Sequence, residues 1–341
     1  RRLSLAAAAV AAIALVLGMG CIAYATGSLV SVQRFVTHLF GGQEPKVEIV
    51  DKIGRPAGAA QSSGGVTVSA DAIIGDRTSI AVIFSITKDD GTPFDGIEPL
   101  EGGLLPLSFS EDLGVDFPLL TKIAQGTGST GSSYFYDADP VDHAIQLVET
   151  RGYTGVDDLS LVGRTMTVHL SDLIYYDEDM DPTIIAPGDW MLTFPINYAD
   201  SSIELPAGQS FELEGFYEDD SAGIREQVGR IAAHVNELAI SPIALHLSYT
   251  AEEPATWTSG ESGHQSEHDA QLSNLLLSIP MSITLRDGSV VELARHTAGS
   301  ISANEEVTHC ETNVFFDRIL DLNEVSSITI GDTTIELRAK A

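Results

Sequence analysis

The first part of the chain is a long apolar run. No residue between positions 3 and 33 is charged, and Arg1 and Arg2 precede the run. A membrane-spanning helix needs about 20 apolar residues, so the run is long enough to cross a bilayer. Because the arginines stand before it and an acidic chain follows, the positive-inside rule predicts a cytoplasmic N-terminus and an extracytoplasmic remainder.

A cleaved signal peptide is the alternative, since Ala23-Tyr24-Ala25 fits a small-x-small cleavage site. The apolar run exceeds the usual signal core of about 7–15 residues, which favours an anchor. Apolar residues also continue at helical spacing beyond it: Leu29, Val32, Val36, Leu39 and Phe40. We predict a transmembrane helix at residues 1–26 and a juxtamembrane helix or linker at 27–46. Because the chain begins with Arg, we expect a cytoplasmic portion ahead of it.

After residue 47 the pattern changes to short alternating stretches, which are typical of β-strands. Residues 66–73 alternate apolar with small or polar side chains, and residues 80–86 form a continuous apolar run typical of a buried strand. Asp90-Gly91 and Asp95-Gly96 predict turns, and Asp287-Gly288 and Gly331-Asp332 predict hairpins. Further strands are predicted at residues 166–170, 190–194, 244–249, 282–286, 290–293, 326–330 and 334–337.

One stretch departs from the strand pattern. Its apolar residues are spaced by four and three, as in an amphipathic helix: Ile224, Val228, Ile231, Val235 and Leu238. The pattern predicts a helix near a domain junction, although residues 235–240 fit a strand equally well. We place a domain boundary near residues 206–211. The fold prediction is therefore all-β, with two β-sandwich (Ig-like) extracytoplasmic domains at 47–208 and 209–341 after one transmembrane helix.

Charge narrows the classes of partner. The chain has 18 Lys+Arg against 49 Asp+Glu, a formal net charge of −31. Such a surface repels phosphate backbones, so we expect no nucleic-acid partner. The two cysteines, Cys21 and Cys310, lie on opposite sides of the predicted membrane boundary, so no disulfide is expected within a domain.

The sequence His264-Gln265-Ser266-Glu267-His268 matches H-x-x-E-H, the motif of inverted zinc peptidases. That site needs both histidines on one helical face, the Glu beside them and a third protein ligand. The surrounding residues 256–273 are rich in Ser and Gly and show no apolar helical period before the motif. We interpret the match as accidental, predict a solvated loop between two strands, and expect no metal, no cofactor and no catalytic residues.

Two further patterns fit known sites only in part. Residues 126–131 fit G-x-G-x-x-G, but a strand-like segment follows where a nucleotide loop needs a helix, so a flexible turn is predicted. Asp177, Asp179 and Asp181 begin a calcium-loop pattern, but Pro182 and Gly188 stand where Gly and a bidentate Glu are required. We predict a solvated acidic loop, with a weak cation site including Glu178 as the alternative.

The lone Cys310, beside His309, has no partner placed by sequence to activate it. It is predicted to be a small buried hydrophobic residue. Trp190 is expected in a core and Trp257 at the edge of a loop.

Residues 51–95, "DKIGRPAGAAQSSGGVTVSADAIIGDRTSIAVIFSITKDDGTPFD", closely resemble the start of the bacterial family called domain of unknown function 4179. Later phrases are similar too: "GDWMLTFPINYAD", "ISPIALHLSY", "ITLRDGSVVEL" and "LDLNEVSSITIGDTTIEL". The resemblance implies a single-pass membrane protein with a β-sandwich-like exterior and no catalytic residues. It also implies a regulator paired with an extracytoplasmic-function sigma factor, bound through a cytoplasmic segment.

These observations predict a non-catalytic sensor or regulatory protein of the cell membrane that is of the anti-sigma-factor type and has a sigma factor as its cytoplasmic partner. A cell-surface binding or adhesion module is an alternative from a different class. A secreted zinc hydrolase is a third, and depends on the motif interpreted above as accidental.

We predict that residues 3–25 remain in the mature protein, because the apolar run is longer than a signal core. N-terminal sequencing of the protein from the membrane fraction measures this directly. A mature N-terminus at Thr26 would rule out the anchor.

Overall fold

Antiparallel strands make up most of the fold. The computed structural model describes residues 49, 53–100, 103–110, 128–137, 139, 141–155, 160–177, 179–219, 224–258, 266–293 and 299–337. Within these residues no helix has the length and apolar character needed to cross a bilayer. Residues 1–26 and 27–46 lie outside them, so the membrane helix and the juxtamembrane segment stay predictions.

The described residues form nineteen strands and the α-helix α1 (Glu267–Leu277). The strands are β1 (Gly54–Ser63), β2 (Val66–Gly75), β3 (Ser79–Lys88), β4 (Leu104–Leu105), β5 (Leu107–Phe109), β6 (Gly128–Tyr136), β7 (Ile145–Thr154), β8 (Thr165–Tyr176), β9 (Pro182–Pro195), β10 (Ile203–Glu204), β11 (Ser210–Asp219), β12 (Ile224–Ile240), β13 (Ala244–Ala251), β14 (Met281–Leu285), β15 (Val290–Glu292), β16 (Gly299–Ala303), β17 (Thr308–Phe315), β18 (Val325–Ile330) and β19 (Thr333–Glu336).

These strands form four antiparallel sheets. Sheet A has the order β1-β2-β3-β7-β6-β4, and sheet B has the order β5-β8-β9. Sheet C is β10-β12-β13-β17-β16, with β11 also paired to β12, and sheet D is β15-β14-β18-β19. The all-β prediction is therefore confirmed. Every strand predicted from alternation is present, and the hairpins at Asp287-Gly288 and Gly331-Asp332 join β14 to β15 and β18 to β19.

Two large hydrophobic clusters divide the chain. The first joins residues of sheets A and B, such as Val82, Phe84, Val168 and Trp190. The second joins sheets C and D with α1, and begins in sequence at Phe211. We call residues 53–198 the first half and residues 203–337 the second half. The boundary predicted at 208/209 stays a prediction, and β10, which precedes it, already pairs with β12.

A third cluster, which we call the junction, lies between the halves. Sheet A contributes Ala72, Ile74, Ala81, Ile83 and Val148, and the second half contributes Ile243 and Ala244. Consecutive residues of β3 point to opposite faces of sheet A, so Ile83 lies in the junction while Val82 and Phe84 lie in the first cluster. Both faces of β3 are buried, which explains its unbroken apolar sequence.

The helix predicted from Ile224 to Leu238 is wrong, because this stretch is the long strand β12. Two register shifts account for the misleading spacing. Asn236 is the extra residue where β12 pairs with β13, and Val228 is the extra residue where it pairs with β11. Each bulge lengthens the spacing of same-face residues from two to three. Val235 and Leu238 are therefore both buried on one face of a strand, although their spacing resembles that of a helix.

The turn that joins β1 to β2 packs against sheet B. Gly64 and Gly65 both have positive φ, +59° and +82°, as a type I′ hairpin requires. A Cβ added to Gly64 would lie 1.8 Å from the carbonyl oxygen of Pro187 in β9. A Cβ on Gly65 would meet no atom within 4 Å. The absence of a side chain at Gly64 thus permits close contact between the two sheets.

Replacing Gly64 with Ala should destabilise the fold more than replacing Gly65. In both variants an alanine must adopt a left-handed backbone conformation, which costs about 1 kcal/mol. Only Gly64→Ala must also displace the Pro187 carbonyl, which should add about 1–3 kcal/mol, the usual cost of overpacking. Urea midpoints of the full chain and the two variants measure the difference. Equal midpoints would show that the contact with Pro187 relaxes without cost.

Candidate functional site

The described part of the H-x-x-E-H motif forms the start of a helix. Helix α1 begins after Ser266, whose backbone is extended and whose side chain accepts a hydrogen bond from the amide of Asp269. His268 is the second residue of this helix. His264 lies outside the described residues, and a ring nitrogen of His268 lies 3.1 Å from the carbonyl oxygen of Thr256.

The loop predicted for residues 256–273 is wrong over α1. Ser266 followed by Asp269 is a helix-start signal, and Glu267 and Asp269 place negative charge in the first turn, where the helix dipole favours it. Leu276, later in α1, is buried in the second cluster. The apolar residues of α1 come after the H-x-x-E-H motif, so the residues before the motif gave no sign of a helix.

The other patterns have structural roles. In the G-x-G-x-x-G stretch, Gly128 to Gly131 belong to β6, so the predicted flexible turn is wrong there, and Gly126 and Thr127 lie outside the described residues. Asp177 accepts hydrogen bonds from the amides of Asp179 and Asp181, which closes its own turn. Glu178 lies outside the described residues. Within the described residues no group of three acidic, His or Cys side chains is placed to hold a metal ion.

Cys310 and the two tryptophans lie where the sequence places them. Cys310 is 2% exposed in β17, and burial raises the pKa of its thiol to about 11, which favours the unreactive protonated form. Trp190 is fully buried, and its Nε1 donates to the carbonyl of Val66 across the first cluster. Trp257 is 42% exposed.

A buried polar network adjoins the junction. Asp76, in the turn between β2 and β3, accepts hydrogen bonds from the amides of Thr78 (2.9 Å) and Ser79 (2.7 Å). Its other oxygen accepts from the hydroxyl of Ser241 at 2.6 Å, and Ser241 belongs to the second half. The Tyr198 hydroxyl donates to the backbone carbonyl of Asp76. A buried carboxylate thus connects the two halves.

Competing effects act on the pKa of the Asp76 carboxyl. Burial raises the pKa of the carboxyl, and the negative charge of Asp200 acts in the same direction. The three donors from Ser241, Thr78 and Ser79 favour the charged form and oppose the shift. Burial has the larger effect, so the pKa lies above its ordinary value. Burial also raises the pKa of the neighbouring Tyr198 hydroxyl, which stays protonated and acts as a donor.

A second group of polar contacts crosses the junction through β17. The side-chain amide of Asn313 donates to the carbonyl of Tyr153 at 2.8 Å, which leaves its oxygen as an acceptor. That oxygen lies 3.3 Å from the Thr78 hydroxyl and 2.9 Å from Nδ1 of His246. His246 therefore carries its proton on Nδ1. Nearby, Arg77 lies 2.9 Å from Glu237 in β12, which adds an ion pair between the halves.

The Asp, Ser and His side chains of this arrangement make structural hydrogen bonds. The hydroxyl of Ser241 donates to Asp76 and accepts from the amides of Ile243 and Ala244, so it caps the turn before β13. His246 is oriented by Asn313 and lies 3.6 Å from Glu311. A Ser–His–Asp triad needs a hydrogen bond from the Ser hydroxyl to the His ring. Here the hydroxyl of Ser241 donates to Asp76 of the first half, and the ring of His246 bonds to Asn313 within the second half.

A cavity of about 1030 Å³ opens beside the junction. Ile49 and Ile53 line one side, and Leu320 and Val325 of the second half line another. The segment 200–206, which connects the halves, supplies a third wall. Such a volume is at the upper end of the range for small-molecule sites, roughly 300–1,000 Å³. This cavity is the candidate binding site of the described residues.

The polar network at the junction has little local signal in the sequence. "GDRTS", residues 75–79, lies between the strands predicted at 66–73 and 80–86, where an ordinary turn is sufficient. Asp followed by Thr and Ser is nevertheless a signal for a side chain that accepts from the next amides, as Asp76 does. Nothing in the order of residues indicates that Ser241 or Asn313, more than 160 positions later in both cases, approaches this turn.

The chain matches no protein-family profile and no curated protein. Among solved structures, the crystal structure of a conserved domain protein from Bacillus anthracis aligns with a TM-score of 0.46 at 14% identity. The alignment covers 86% of this chain and 82% of that chain. The resemblance to domain of unknown function 4179 stays a prediction.

Replacing Asp76 with Asn should reveal the raised pKa. A carboxyl whose pKa is higher in the folded than in the unfolded chain holds its proton more tightly when folded. Its contribution to the free energy of unfolding therefore falls as the pH rises from the ordinary value of 3.8 through the folded pKa. We expect the stability difference between wild type and Asp76→Asn, measured by urea unfolding, to shrink as the pH rises from about 4.

Asp90→Asn is the matched control. Asp90 is exposed, and hydrogen bonds from Thr92 lower the pKa of its carboxyl. Because the pKa of Asp90 is lowered and not raised, its contribution to the free energy of unfolding grows as the pH rises. The stability difference between wild type and Asp90→Asn should therefore grow with pH. A growing difference for Asp76→Asn as well would mean that its three donors outweigh burial.

Proposed function

We propose that this chain is a single-pass protein of the cell membrane whose extracytoplasmic part is a non-catalytic sensor that regulates a cytoplasmic partner of the sigma-factor type. The supporting observation is the position of Ile49 and Ile53. They directly follow the predicted juxtamembrane segment at 27–46, and both line the cavity between the halves. Ile53 is also fully buried in the junction.

This position joins the binding site to the predicted membrane segment. A ligand shifts a conformational equilibrium only through contacts that differ between two states. A ligand in the cavity would contact the half-buried Ile49, so its binding would change the packing at the start of the described chain. Only residues 47 and 48 separate Ile49 from the predicted juxtamembrane segment.

The architecture supports two β-sandwich domains as the extracytoplasmic part. The first cluster lies between sheets A and B, and the second lies between sheets C and D. Antiparallel sheets packed face to face in this way are characteristic of sandwiches. We propose domains at 47–208 and 209–341, connected by the hydrogen bonds of Asp76 and Asn313 described above.

A non-catalytic role agrees with the chemistry of the junction. Ser241 and Asp76 make a hydrogen bond that connects the halves, His246 is bonded to Asn313 within the second half, and Cys310 is buried with a raised thiol pKa. These groups serve stability and relative position. The cavity is lined mainly by aliphatic and carboxylate side chains, which suits binding.

The test is a gene deletion with complementation in the host bacterium. Deletion should change transcription of a defined set of genes, and the wild-type chain should restore it. Ile53→Ala should reach the membrane yet fail to restore transcription, because it removes the contact between the cavity and the membrane-proximal segment. Ile328→Ala is the matched control, since it makes the same truncation in the second cluster, away from the junction.

Both truncations cost about 2–5 kcal/mol of stability, so equal amounts of each variant in the membrane must be confirmed. Restoration of transcription by Ile328→Ala but not by Ile53→Ala supports coupling between the cavity and the membrane-proximal segment. Unchanged transcription on deletion, with loss of attachment to surfaces, would instead favour the cell-surface binding or adhesion module.

A further inference from the structure

The cavity between the halves combines an apolar floor with an acidic rim. We propose that it binds a short basic, apolar peptide segment, in which cationic and aliphatic side chains alternate. The inference deepens the proposed sensor function by naming its ligand class, and it rests on that function for its biological role. The binding itself depends only on the described residues.

The floor of the cavity is aliphatic. Five half-buried aliphatic side chains line it: Ile49, Ile203, Leu205, Leu322 and Leu337. Burying a Leu or Ile side chain of a ligand against such a floor stabilises a complex by about 1.5–3 kcal/mol. With a volume of about 1030 Å³, the cavity has room for several side chains. The floor therefore favours a ligand with an apolar face.

The rim of the cavity is acidic. Its charged lining residues are four carboxylates and one cation: Asp200, Glu204, Asp321, Glu336 and Arg286. The whole chain carries a formal charge of −31, so the field outside the cavity has the same sign as the rim. Clefts lined with one sign of charge concentrate ligands of the opposite sign. Nucleotides and anionic lipid headgroups are repelled, and a basic ligand is attracted.

A buried hydroxyl supplies an independent indication of a ligand. Ser201 lines the cavity, and its Oγ is shielded from solvent without a hydrogen-bond partner among the described residues. An unsatisfied buried polar group costs about 1–3 kcal/mol, so such groups are rare in native structures. Ser201 as a whole is only half-buried, so rotation of its side chain would bring the hydroxyl to an ammonium or backbone amide of a bound peptide. The floor, the rim and this hydroxyl each match a different part of the proposed ligand.

The experiment measures binding of a fluorescent, acetylated and amidated hexapeptide of alternating Lys and Leu. Fluorescence anisotropy with the full chain in nanodiscs of uncharged phosphatidylcholine should show saturable binding above that of empty nanodiscs. A Glu/Leu hexapeptide tests the charge of the rim, and a Lys/Ser hexapeptide tests the apolar floor. Neither should bind measurably at concentrations that saturate with Lys/Leu.

Variants locate the binding. Asp200→Asn combined with Glu336→Gln removes two exposed rim charges and should weaken binding about tenfold or more. Glu305→Gln combined with Glu306→Gln removes the same charge from an exposed turn outside the cavity and should change the affinity less than about twofold. Ser201→Ala should weaken binding about fivefold without lowering the urea midpoint, because it removes a hydroxyl that lacks a partner.

Several results would overturn the proposal. They are absence of saturable binding, equal binding of the Lys/Ser peptide, or equal loss of affinity in the two double variants. The last result would mean attraction to the net charge alone. Peptide binding in a chain whose deletion leaves transcription unchanged would refute the sensor function and leave the site in place. A transcriptional effect without peptide binding would refute the ligand class alone.

Discussion

The burial of both faces of sheet A is the constraint on which the rest of the structure depends. One face packs against sheet B around Trp190, and the other packs against the second half through Ile83 and Val148. The hydrophobic effect is proportional to the apolar area removed from water, so neither face can be exposed without a large cost. The second half is therefore held against the first, and the cavity beside the junction is a defined feature of the fold.

Packing alone does not set the position of the halves relative to each other, because apolar contacts are not directional. Directional contacts come from the polar groups beside the junction. Asp76 accepts three hydrogen bonds, one of them from Ser241, and Asn313 connects Tyr153 with His246. A buried polar group that loses its partner costs about 1–3 kcal/mol, so sliding of the halves is penalised at the contacts of Asp76 with Ser241 and of Asn313 with Tyr153.

The cavity follows from the same arrangement. The halves meet at the junction and are connected by residues 200–206, which form one wall of the space beside it. Apolar side chains line the floor because they belong to the edges of the cores, and carboxylates line the rim because it faces solvent. Ile53 belongs to both the junction and the cavity. This shared residue is the basis for a sensor in which binding and the membrane-proximal chain are coupled.

The sequence by itself determined the strands and their turns, because alternation and Asp-Gly pairs act over a few neighbouring residues. It predicted β3 as buried and Trp190 as core from local composition alone. The prediction of a helix at β12 was wrong because the bulges at Val228 and Asn236 mimic helical spacing. The prediction of a loop at α1 was wrong because it considered the residues before the motif, whereas the apolar residues of this helix come after its cap Ser266. Only the tertiary structure decided that Asp76 meets Ser241, and that Ile53 and Leu320 enclose one cavity. Pairings across more than 150 positions depend on how complete sheets pack, and no local pattern encodes them.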